Sequence, residues 1–273
     1  MKITCVVDNA VQAGSRFWGE HGLSFLIETE GKRLLFDTGQ SGTVLLHNLQ
    51  VAGIDPASIS AITLSHAHYD HTGGLKALLA QISKIPLYAH SDLFRERFAR
   101  REAKLESIGL SIGYEDLSHY ADLRLSAKAQ QILPGVYTTG EITSRPEVEG
   151  RSARHLVRDG DQFIPDPYQD DLSLVLEADQ GLVVLCGCCH AGLLNTLQHV
   201  RDNFGGPIIA VIGGTHLESM NQEQLHHLVQ ILHTYGTPCF YPNHCTGQTA
   251  YVALATAFGS RVMPCPVGTE LVF

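Results

Sequence analysis

The chain has 273 residues, 44% hydrophobic and 17% charged, with 19 Lys and Arg against 28 Asp and Glu, for a formal charge of −9 with neutral histidines. That composition supports a sizeable core, and the acidic balance argues against nonspecific nucleic-acid binding, which relies on Lys and Arg facing phosphate. The start has no signal-peptide pattern and no apolar run approaches the roughly 20 residues that span a bilayer, so no membrane contact and a cytoplasmic location are expected.

In chain order, Ile3 to Val7 reads as a short strand. Ser24–Thr29 and Lys32–Phe36 flank Glu30-Gly31 as a hairpin, and the second strand ends in Asp37-Thr38-Gly39. Ser41 caps a helix running to Val51. Ala61 to Leu64 is a buried strand that leads into Ser65-His66-Ala67-His68-Tyr69-Asp70-His71-Thr72-Gly73-Gly74. Leu75 to Ile82 reads as a helix, Leu87 to Ala89 as a strand and Asp92 to Ala99 as a helix. The stretch from about 100 to 165 is polar with weak periodicity, apart from a strand at 136–139; it reads as an irregular insertion near the site. Strands at 172–176 and 182–185 follow, then Gly187-Cys188-Cys189-His190-Ala191-Gly192 and a helix over 193–204. A strand at 207–212 ends in Gly213-Gly214-Thr215-His216. A helix over 221–235, a strand at 239–241 ending in Pro242-Asn243-His244, and a helix over 248–258 complete the chain. Several histidines therefore stand just after strands, where α/β folds gather their loops on one rim. The seven cysteines are odd in number and form no paired Cys-x-x-Cys motifs, which points to reduced thiols.

The strongest signal is the His66–His71 run. His66 and His68 are two apart in extended chain, so both side chains point the same way. Asp70 and His71 follow as the chain turns, and Gly73 and Gly74 permit a tight corner. Four donors within six residues, all imidazole or carboxylate, suit a divalent metal. A polar loop merely rich in histidine accounts less well for the full pattern directly after an apolar strand.

This run, with Leu35-Phe36-Asp37-Thr38-Gly39 upstream, resembles the signature of the metallo-β-lactamase superfamily. The resemblance implies an α/β chain (α+β in some schemes) folded as a four-layer αββα sandwich, one domain over residues 1–273, with a dimetal site at the edge between its sheets. Gly187–Gly192, Gly213–Leu217 and Pro242–Gly247 further resemble a branch named for a dihydropterin ribofuranosylaminobenzene phosphate synthase. By resemblance, one metal takes His66, His68 and a third group, for which His190 is the choice; the other takes Asp70, His71 and His244. Two zinc ions are expected, and iron and manganese also suit these donors.

One departure stands out. Relatives often carry a bridging Asp after the strand glycine, where this chain has Gly187-Cys188. Cys188 either ligates as thiolate or the bridge is missing. Asp171, where another common histidine would stand, is a ligand, an outer partner or a turn residue. His216 is a ligand, a proton donor or a substrate contact. Asp37 either accepts from a ligand's ring N–H or serves as a turn residue or helix cap. The implied activity is metal-assisted hydrolysis of a small ester, lactone or phosphoester, with Asp70 orienting the nucleophile and His216 protonating the leaving group. Arg145, Arg151, Arg154 and Arg158 in the insertion suit an anionic small-molecule substrate or are solvated charges. The alternatives are a synthase in pterin biosynthesis and a non-catalytic ligand-binding protein on the same scaffold.

Overall fold

The computed structural model describes residues 1–102, 104–236 and 238–273; Ala103, inside the expected insertion, lies outside the described residues. The chain begins with strands β1 (Lys2–Val7), β2 (Ser24–Thr29) and β3 (Lys32–Phe36), helix α1 (Gly42–Val51), strand β4 (Ala61–Thr63), short helices α2 (Tyr69–Thr72) and α3 (Leu75–Leu79), and strand β5 (Ile85–Ala89). The middle supplies β6 (Arg97–Arg101), β7 (Lys104–Ser107), α4 (Tyr114–Tyr120), β8 (Ala121–Leu125), β9 (Gln131–Leu133), β10 (Val136–Thr138), β11 (His155–Asp159) and β12 (Gln162–Pro165). The last third supplies β13 (Ser173–Ala178), β14 (Gly181–Cys186), α5 (Leu193–Phe204), β15 (Ile208–Gly214), α6 (Gln222–Leu232), β16 (Cys239–Asn243), α7 (Gln248–Phe258) and β17 (Glu270–Val272).

Two large sheets form, in the orders β17-β1-β2-β3-β4-β5-β8 and β16-β15-β14-β13-β10-β9. The period of two along each strand sorts its side chains into separate cores. Phe25, Ile27, Leu34 and Phe36 face Leu174, Leu176, Val183, Leu185 and Ile212 between the sheets. Leu26 and Leu35 point outward, against Leu45, Leu49, Leu75 and Leu78 of α1 and α3. On the far side, Val184 and Val211 pack against Leu193, Leu197, Leu225, Leu228 and Leu254 of α5, α6 and α7. The result is a four-layer αββα sandwich.

Local signals explain the best-defined corners. Glu30 and Gly31 both have positive φ, 48° and 73°, the twist a two-residue hairpin needs. The Ser41 side chain accepts from the Val44 N–H at 3.2 Å and starts α1. Asn221 and Gln224 form a capping box at the start of α6.

Two expectations are corrected. Residues 92–99 do not form a helix: the chain turns at 91–94, and Arg97 and Ala99 alternate inward along β6, which pairs with β11. The insertion is also not irregular. It contributes β8 to the first sheet, β9 and β10 to the second, and a separate four-stranded sheet in the order β12-β11-β6-β7. Its strands are short and largely exposed on one side, which leaves little apolar periodicity in the sequence to read. No helix among the described residues is long and apolar enough to cross a membrane.

Candidate metal centre

The parallel pairs β3–β4 and β14–β15–β16 end on one rim. Asp37 follows β3, His66 follows β4, and Cys188 and His190 follow β14. His216 follows β15, and His244 comes at the first residue past β16. Asp37, His216 and His244 sit in the left-handed region at φ 59°, 47° and 49°, a conformation concentrated at functional loops. The sharp corner after the His66–His71 run requires its glycines: a Cβ on Gly73 would collide with the Gln40 carbonyl, and one on Gly74 with the Thr38 carbonyl.

Two groups of donors converge there. His66 Nε2 lies 3.0 Å from His68 Nδ1, and the donor atoms of His66, His68 and His190 all fall within 4.8 Å of one another. His71 Nε2 lies 3.2 Å from His244 Nε2, with Asp70 Oδ2 3.7 Å from the first and 3.4 Å from the second. Two nitrogens sharing one tetrahedral ion at ~2.1 Å stand ~3.4 Å apart, so these spacings are close to those of ligand pairs. His190 Nε2 is buried with no hydrogen-bond partner. Burial holds His66, His68 and His190 well below the ordinary histidine range, which keeps them as neutral imidazoles, the ligating form. These residues fit a divalent metal pair.

The surrounding residues set which ring nitrogen faces the centre. His71 Nδ1 donates to Asp37 Oδ2 at 2.7 Å. His190 Nδ1 donates to the Gly150 carbonyl at 2.7 Å, and His244 Nδ1 lies 3.1 Å from Asn9 Oδ1. Ser65 Oγ donates to Asp37 Oδ2 at 2.7 Å and lies 2.8 Å from His66 Nδ1. Each of these four rings therefore presents its Nε2 inward, with Nδ1 fixed by a partner. At His71, burial opposes the charged form but Asp37 and Asp70 outweigh it, and the metal-free imidazole is pushed up to about 9.

Of the other expected residues, Cys188 joins the donors, while Asp171 and His216 stand beside them. Asp171 is not among the converging donors: its Oδ2 accepts from the Ala191 N–H at 2.9 Å, bracing the His190 loop from behind, and burial pushes its carboxyl up to about 7. The His216 ring packs 4.5 Å from that of His190 and lines the cleft above the centre. Cys188 Sγ lies 3.1 Å from His71 Nε2. Of the four arginines named in the insertion, Arg154 alone lines the cleft. Arg145 is tied to Glu149 and to the Pro167 and Tyr168 carbonyls, Arg151 pairs with Glu149, and Arg158 pairs with Glu96.

The cleft has a volume of about 650 Å³. Its walls include residues the sequence did not single out. Arg100 and Arg101 of β6 join Arg154 there. His21 approaches Asp70 Oδ2 at 3.3 Å. Tyr168 stacks on His190 at 4.1 Å, and its hydroxyl lies 2.8 Å from His155 Nδ1. That hydroxyl accepts from the Ser152 N–H, so its own proton is free to go to His155. Burial and His216 push His155 down to about 4. Beneath the centre, the buried Arg97 guanidinium makes ion pairs with Asp170 at 2.8 Å, Asp92 at 3.2 Å and Asp166 at 3.3 Å. The other oxygen of Asp170 accepts from the Ala67 N–H at 2.9 Å, which ties this network to the loop carrying His66 and His68. No short-range pattern marks these residues, because each acts on a partner distant in sequence.

Residues 18–189 match the metallo-beta-lactamase superfamily. A relative from Methanocaldococcus jannaschii, the 7,8-dihydropterin-6-methyl-4-(beta-D-ribofuranosyl)-aminobenzene-5'-phosphate synthase, is 32% identical over 261 residues, covering 92% of this chain and 89% of the relative. The solved structure of a metal-dependent hydrolase of the beta-lactamase superfamily aligns with a TM-score of 0.86 at 26% identity, covering 100% of this chain and 99% of that one. Zn2+-bound PqqB from Methylobacterium extorquens shares the fold at a TM-score of 0.59 and 13% identity, over 100% of both chains.

Proposed function

The chain belongs to the metallo-β-lactamase superfamily, and on that premise we propose that it is a metal-dependent hydrolase acting on a small anionic ester or phosphoester. The observation that carries this is the convergence of His66 Nε2, His68 Nδ1 and an unpartnered His190 Nε2 beside His71, His244 and Asp70, at one end of an open cleft. His66, His68 and His190 would hold one ion, and Asp70, His71 and His244 the other, with zinc the expected metal. A bound pair of this kind polarises the scissile carbonyl or phosphoryl oxygen and brings the acidity of water from a pKa of about 15.7 toward about 7.

The protein's own groups do the rest. Asp70 is held between His21, His71 and His244, so its carboxylate has a fixed direction from which to orient the attacking oxygen. His216, next to His190 in the cleft wall, hands a proton to the leaving group. His155, neutral and fixed at Nδ1 by Tyr168, carries its ring proton on Nε2 and would donate it to a substrate oxygen in the cleft. Arg100 and Arg154, with Arg101 paired to Glu106, line the same space and favour an anionic substrate.

A second reading is supported by the 32% identical relative, whose name is that of a synthase. In that reading the amino nitrogen of a ribofuranosylaminobenzene phosphate, instead of water, displaces a leaving group such as diphosphate from the 6-methylene carbon of a dihydropterin and loses a proton, and the bound metals would stabilise the departing anion.

Elemental analysis of the purified protein and its His71→Ala variant is the first test. About two metals per chain, falling to about one in the variant, is expected; no metal in either would overturn the proposal. The metal-loaded protein is then offered an ester and phosphoester panel, and separately a dihydropterin bearing a diphosphate leaving group on its 6-methylene carbon together with a ribofuranosylaminobenzene phosphate. Hydrolysis alone supports the first reading, condensation the second.

A further inference from the structure

We propose that Cys188 and Cys245 serve together as a thiolate pair on the second metal position, the one bounded by His71 and His244. The proposal rests on the metal-centre reading above and revises its second position, where His71, His244 and the two sulfurs make the four donors and Asp70 is left to orient the attacking oxygen. Cys188 Sγ lies 3.1 Å from His71 Nε2, and Cys245 Sγ lies 3.4 Å from Cys188 Sγ. The donor atoms of Cys188, His244 and Cys245 all fall within 4.8 Å of one another, and so do those of His66, His71 and Cys188. Cys188 therefore belongs to both groups and stands between the two positions.

The spacing separates this arrangement from the alternatives. A disulfide requires ~2.05 Å between sulfurs, far shorter than observed. Two sulfurs sharing one tetrahedral ion at ~2.3 Å stand ~3.8 Å apart, a few tenths of an ångström from the 3.4 Å here. The fold also makes room for the pair. A Cβ on Gly214 would sit 2.8 Å from Cys245 Sγ, so glycine at the end of β15 leaves the space that this sulfur occupies. Both cysteines line the cleft, and both are free thiols. They lie 57 positions apart, one just after β14 and the other just after β16, so two separate strand ends deliver sulfur to one point.

The chemistry that follows is selective. Thiolate favours zinc, cobalt(II) and cadmium over manganese and magnesium, so the second position takes thiophilic ions, while the all-imidazole first position discriminates less. Each thiol that ligates releases its proton to solvent, and no electron transfer is involved.

The test is a cobalt(II) titration of the metal-free full chain, under anaerobic conditions with a phosphine reductant. A near-ultraviolet sulfur-to-cobalt charge-transfer band should grow with one of the two equivalents. It should fall by about half in Cys245→Ser and vanish in the Cys188→Ser/Cys245→Ser double variant. The visible bands of the cobalt held by His66, His68 and His190 should persist in both variants, which also reports that they fold. Two bound equivalents with visible bands but no near-ultraviolet band would overturn the thiolate pair and leave the metal-centre reading standing. No bound cobalt in the wild-type chain would overturn both. Independently of any variant, zinc should slow iodoacetamide labelling of Cys188 and Cys245 at least tenfold, read by peptide mapping; equal labelling with and without zinc would also overturn the proposal.

Discussion

Asp37→Asn changes one buried atom type and should act on metal affinity through His71. The Asp37 carboxylate accepts three hydrogen bonds: Oδ1 from the Ser65 N–H at 2.7 Å, and Oδ2 from Ser65 Oγ and His71 Nδ1, each at 2.7 Å. An amide has only one acceptor oxygen. If that oxygen takes the Oδ1 place, the amide NH2 faces His71 Nδ1, which must then accept; the ring proton moves to Nε2, the nitrogen 3.2 Å from His244 Nε2. If the amide is reversed, its NH2 opposes the Ser65 N–H. Either arrangement forfeits a charge-assisted hydrogen bond of ~1.5–3 kcal/mol in a fully buried site. Loss of such a partner behind a metal-binding histidine lowers affinity ~10–100-fold, or ~1.4–2.7 kcal/mol. The assay is zinc binding by chelator competition at fixed pH, on wild type and variant. One of the two dissociation constants should rise by that factor while the other changes little. If both stay within about twofold in a variant that still unfolds cooperatively, Asp37 does not set the His71 tautomer and this reasoning fails.

Other substitutions probe separate parts of the molecule. Arg97→Met leaves Asp166 and Asp170 buried without their cation and should cost ~3–5 kcal/mol of stability by urea unfolding; a loss under 1 kcal/mol would show that the network is not what holds the Ala67 loop. Gly187→Ala places a Cβ against Ser65 Oγ and should cost ~1–3 kcal/mol while lowering metal content, since Ser65 positions both His66 and Asp37; full metal content by elemental analysis would argue against that coupling. Arg154→Ser should raise KM for an anionic substrate about tenfold, the ~1.4 kcal/mol of one charge-assisted contact, with metal content unchanged; an unaltered KM would remove Arg154 from the substrate site.

A few consecutive residues suffice to encode the local features. Glu30-Gly31 specifies a hairpin because glycine takes positive φ freely, and Ser41 specifies a helix start because its side chain accepts from an N–H three residues on. His66, His68, Asp70 and His71 announce a metal centre because the pleat and the following turn place four donors on one corner. The sandwich follows from the resemblance those motifs carry. Which distant groups meet at that corner depends on the packing of the whole chain. Asp37 reaches His71, Asn9 reaches His244, Tyr168 stacks on His190, and Cys245 closes on Cys188. Arg97 was hidden for the same reason: its stretch carries helical spacing, yet pairing with β11 and three carboxylates holds it as a strand. Such contacts arise where parallel strand ends are brought to one rim by sheet pairing, and pairing is a property of elements far apart in the chain, so no local window contains it.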